Sequence, residues 1–146
     1  MVNSIINRPQ VFMWYSIPVL LILGLLRLNT ALDIQMHDTY YVIYSLHLSI
    51  FFSLILAING LLYYLMRKYH LIKWITLMHV VVTLALFFIM ILMVCFRAKW
   101  IEPDLRTYRT TIQTVLLPLI VVVFLQILFL ANLIISLIRK KEKSNT

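Results

Sequence analysis

Five acidic residues, two glycines and one cysteine are all that this chain of 146 residues contains of those types. A single thiol closes no disulfide within the chain and builds no zinc or iron–sulfur site by itself. Cys95 lies inside an apolar run, where a small core residue is expected. No G-x-S-x-G, no H-E-x-x-H and no glycine-rich phosphate loop occurs, so the common hydrolase and nucleotide signatures are missing. Low-complexity segments and a separate soluble domain are missing too. The tail "RKKEKSNT" reads as a solvated stop rather than a binding arm.

Apolar residues fill the space. They make up 63% of the chain, with a mean hydropathy of +0.97, against about 45–50% in an ordinary soluble domain. The formal charge is +8, which in a soluble protein would suggest nucleic acid. Here the basic residues fall between apolar runs, so they report membrane topology and no nucleic-acid partner is expected. A spanning helix needs ~20 mostly apolar residues. Four runs qualify, at Val11–Leu28, Tyr41–Met66, Ile72–Phe96 and Thr111–Ile138. The expected fold is all-α, one four-helix transmembrane domain over residues 1–146.

The first run ends in Arg27 without a small-residue cleavage site, which favours a retained helix over a signal peptide. Pro18 and Pro118 sit inside runs and predict bends. Gly24 and Gly60 would allow close helix contact, but no small-xxx-small pair accompanies them. For orientation, the N-terminus, second loop and C-terminus carry Arg8, then Arg67, Lys68 and Lys73, then Arg139, Lys140, Lys141 and Lys143. On the other side Arg27, Arg97, Lys99, Arg106 and Arg109 are diluted by Asp33, Asp38, Glu102 and Asp104. Both termini are therefore expected in the cytoplasm. "EPDLRTYR" reads as a salt-bridged outer loop.

His47 is expected ~10 Å below the outer surface, and an ionisable group at that depth is a functional-site candidate. Its competing reading, favoured by spacing alone, is a neutral imidazole hydrogen-bonded to a neighbouring helix. His79 is the obvious second ligand, yet a tight hairpin turning near Tyr69 separates the two by ~20 Å along the membrane normal. Axial ligands of one heme iron lie within ~4 Å of each other, so His47 and His79 of one chain do not clamp a single heme.

The stretch "LDIQMHDTYYVIYSLH" resembles the start of the tenth helix of subunit I of heme–copper oxidases, whose pattern is L-D-I-x-x-H-D-T-Y-Y-V-x-x-H-x-H. His37 to Val42 match it without a gap. "MHVVVT" resembles the eleventh helix through His79 and Thr83, and "EPDLRTY" a loop of that subunit through Pro103 and Asp104. In order, the four runs resemble helices nine to twelve. The resemblance implies that the first histidine of H-x-H, the oxygen-heme ligand, is here Ser45. A serine hydroxyl does not replace imidazole on heme iron. The second histidine survives as His47, a candidate heme axial ligand. The copper-ligand helices have no counterpart. His37 and Asp38 match a pair near a magnesium site, and the competing reading is a cap of helix two.

Two expectations follow. The first is a non-catalytic integral membrane subunit or interaction module in a larger complex, in the inner (cytoplasmic) membrane of a bacterium, with the lipid bilayer and other subunits or a second copy as partners. The second is a b-type heme protein using His47 with a ligand from another chain. No cofactor is established by the sequence, and heme is the one the resemblance suggests. A quinone or lipid site between helices is a weaker third reading, because the sequence offers no clear polar set for it.

Overall fold

The computed structural model describes residues 7–26, 28, 30–36, 39–69, 71–97 and 105–144. Helix α1 spans Pro9–Leu26. A hairpin follows, with strand β1 at Ala31–Met36 and strand β2 at Thr39–Tyr44. Helix α2 spans Ser45–Leu65 and ends in a 3-10 turn, Met66–Lys68. Helix α3 spans Lys73–Arg97 and helix α4 spans Leu105–Ser144. Four of these segments, Pro9–Leu26, Ser45–Lys68, Lys73–Cys95 and Leu117–Arg139, are helices long and apolar enough to cross a membrane. That is the mark of a membrane protein.

Helix two was expected to begin at Tyr41. Instead the chain stays extended to Tyr44, and β2 pairs antiparallel with β1 in a register that sets Asp33 opposite Val42 and Ala31 opposite Tyr44. The run Thr39-Tyr40-Tyr41-Val42-Ile43-Tyr44 is made wholly of β-branched and aromatic residues, which favour a strand over a helix. The Ser45 amide donates to the Thr30 carbonyl at 3.0 Å, closing the base of the hairpin where α2 begins. Among the described residues the fold is thus helical with one small two-stranded sheet. At the other end, α4 starts at Leu105, so the second half of "EPDLRTYR" is helix rather than loop. The helices run on through Pro18 and Pro118.

Helix α1 packs against both α2 and α3, and α4 packs against α3. The core is aromatic and aliphatic. Phe52 of α2 stacks on Phe87 of α3 with centroids 4.2 Å apart, and Met13, Leu20, Leu56 and Ile91 are fully buried around the shared axis. The tightest approach is between α1 and α2. A methyl group added to Gly24 would run into the Ser49 hydroxyl, lie 2.8 Å from Ser49 Cβ and 3.4 Å from the Leu46 backbone. Ser45, one turn before Ser49, directs its hydroxyl at the Gly24 carbonyl at 3.4 Å. The small-residue pattern that the glycines lacked is therefore supplied across the interface by two serines spaced four apart, Ser45 and Ser49.

Candidate functional site

Among the polar side chains of the core, one connected set crosses three helices. Tyr63 comes from the last turns of α2, Thr76 and His79 from the first turns of α3, and Gln126 and Asn132 from α4. The Tyr63 hydroxyl and His79 Nδ1 are 2.9 Å apart, and both residues are only 1% exposed. Phe129 of α4 stacks on the imidazole at 4.4 Å and packs on the Tyr63 ring at 4.7 Å. Thr76 lies beside Tyr63. Asn132, fully buried, donates from Nδ2 to Thr76 Oγ1 at 3.3 Å, while its Oδ1 accepts the Ile72 amide at 3.0 Å. That last bond satisfies one of the amides left free at the start of a helix, here from a different helix.

One turn farther from the basic end the set is incomplete. Asn59 lies four residues before Tyr63, Thr83 four after His79, and Gln126 three before Phe129, so helical rise brings all three to about the same level. Asn59 Nδ2, Thr83 Oγ1, Gln126 Nε2 and His79 Nε2 are buried without a hydrogen-bond partner. Gln126 nevertheless lies beside His79. With Nδ1 facing the Tyr63 hydroxyl, Nε2 carries the proton if that hydroxyl donates, and a rotated Gln126 amide would present an acceptor to it. Unpaired buried groups of this kind cost free energy, so this level is the less well satisfied part of the set.

The sequence-derived candidates fall elsewhere. Ser45 is fully buried against α1. His47, two residues on, is exposed on the opposite face of α2, with the Tyr44 ring edge-on to it at 5.9 Å. The expected hydrogen bond from His47 to a neighbouring helix is thus replaced by an outward-facing ring. His79 pairs with Tyr63, which lies ~24 Å beyond His47 along the same helix, so the two histidines are well separated. His37 and Asp38 lie outside the described residues. No cluster of three or more metal-ligating side chains forms among the described residues. Cys95 is buried, with its thiol 3.8 Å from the Leu23 carbonyl.

A heme on the Ser45 position does not fit. The space beside Ser45 and Ser49 is occupied by the α1 backbone at Gly24, closer than even one methyl group allows. At His47 a heme would have to lie on the outside of the four-helix unit. Sequence reasoning missed the Tyr63–His79–Asn132 set. The signal was present as polar residues three or four apart on α2 and α3 and six apart on α4, but nothing in the sequence states which helices pair. No family model, curated protein or solved structure matches this chain.

Proposed function

We propose that this chain is a non-catalytic integral membrane subunit or interaction module, related to the last four helices of heme–copper oxidase subunit I and part of a larger membrane complex. Its termini and basic second turn face the cytoplasm of a bacterium. The observation that carries this reading is the closure of α1 on α2 at Gly24, Ser45 and Ser49. Where the resemblance puts the oxygen-binding heme, this chain has helix-to-helix packing. The polar side chains that remain hold helices together rather than converging on an open reaction site. The protein purified natively with its partners is expected to show no heme absorption attributable to this chain. Stoichiometric heme lost on His47→Ala would overturn the proposal.

That same experiment serves a second reading, a b-type heme electron-transfer protein. It is favoured by the outward imidazole of His47, which is accessible to another chain. A two-fold axis along the membrane normal would set two copies of His47 at one depth. A Soret band that survives His47→Ala eliminates this ligand.

A further inference from the structure

The basic end of the helices contains a cavity of about 200 Å³ between the start of α1, the end of α2 and the start of α3. Asn7, Gln10, Tyr63, Arg67, Lys73 and Thr76 contribute to its wall. We propose that this cavity binds a phosphate-bearing anion, in the bilayer the headgroup of an anionic phospholipid. The inference stands independently of the subunit reading above.

Charge comes first. Arg67 and Lys73 line the cavity, and among the described residues no carboxylate does. Arg67 offers a planar fork suited to two phosphate oxygens, and Lys73 a point charge. Lys73 is also the first residue of α3, where the helix dipole adds positive potential. Beneath the two cations lies a polar floor: Gln10 is 5% exposed, Tyr63 1% and Thr76 2%. Thr76 Oγ1 accepts from Asn132 and lies beside the Tyr63 hydroxyl, so the floor is a connected polar surface rather than an apolar one. Size and place complete the argument. The volume falls below the ~300–1,000 Å³ typical of cofactor-sized sites, so a headgroup fits and a large ring system does not. The cavity lies at the junction of two membrane-length helices, where lipid phosphates lie, and basic pockets between helices at that boundary hold anionic headgroups.

The full-length chain, purified in mild detergent, would be exchanged with phosphatidylglycerol or phosphatidylcholine, and retained lipid counted by native mass spectrometry. One phosphatidylglycerol per chain is expected, in preference to phosphatidylcholine. Arg67→Gln/Lys73→Gln should weaken retention about 10- to 30-fold, from the loss of two surface cations. Lys68→Gln/Arg139→Gln removes the same charge at exposed positions outside the cavity and should stay within about twofold. Inorganic phosphate supplies the arm that separates sources. If millimolar phosphate leaves the lipid in place, the headgroup is the ligand; if it displaces the lipid, the site stands with free phosphate as its source. Equal loss in both double variants, no loss in the cavity variant, or equal retention of the two lipids overturns the proposal. All four substituted side chains are exposed, so the fold should survive them, and unchanged thermal unfolding of the variants would verify it.

Discussion

Tyr63 and His79 owe their importance to where their partners come from. The tyrosine lies on α2 and the histidine on α3, and Phe129 of α4 covers both rings. Removing the hydroxyl leaves buried His79 Nδ1 without its partner. Tyr63→Phe is therefore expected to cost about 0.5–2 kcal/mol of stability, read by denaturing-detergent titration of the purified protein. A double-mutant cycle with His79→Phe should return a coupling of similar size. Additive effects of the two changes would show that the 2.9 Å contact contributes nothing beyond packing. Asn132→Leu probes the next link. It strips the Ile72 amide and the Thr76 hydroxyl of their partner together, so it should destabilise at least as much as Tyr63→Phe in the same titration.

At the scale of elements, the two glycines make contrasting cases. A side chain at Gly24 meets Ser49 Cβ and the α2 backbone, neither of which can swing aside, whereas one at Gly60 meets the indole of Trp14, a half-exposed ring. Gly24→Ala should therefore separate α1 from α2 and lower the melting temperature clearly more than Gly60→Ala. Equal melting temperatures for the two variants would refute that ranking. The four long helices were legible because hydrophobic length needs no tertiary information. The helix start at Tyr41 was misread because an apolar run has no period that separates strand from buried helix, and the β-branched and aromatic make-up of residues 39–44 decided the outcome. The contact of Gly24 with Ser45 and Ser49 was not legible, since small residues in one helix acquire meaning only once the opposing helix is known. His47 could be singled out by its type and depth, but its outward direction depended on Ser45 taking the inner face.

Across the whole molecule, Asn7 and Gln10 at the start of α1 share one cavity with Arg67 and Lys73, so the chain's first helix and its second turn open on the same side. The cytoplasm is the proposed side. In a Cys95→Ser background, Lys68→Cys should react with a membrane-impermeant maleimide only after inverted or opened membranes expose that face. Labelling of intact cells would reverse the orientation. In the wild type, Cys95 itself should stay unlabelled until the protein is unfolded, because its thiol is buried between helices. The closure at Gly24 has a further effect at this scale. Shifting α1 by one residue along α2 would rotate it by about 100° and carry it ~1.5 Å, presenting Leu23 or Leu25 to Ser49 in place of hydrogen. The contact therefore accepts a single setting. Once the charged turn after α2 is anchored at the water boundary, Gly24 works as a depth gauge, fixing how far the first helix sinks and which of its faces looks at lipid.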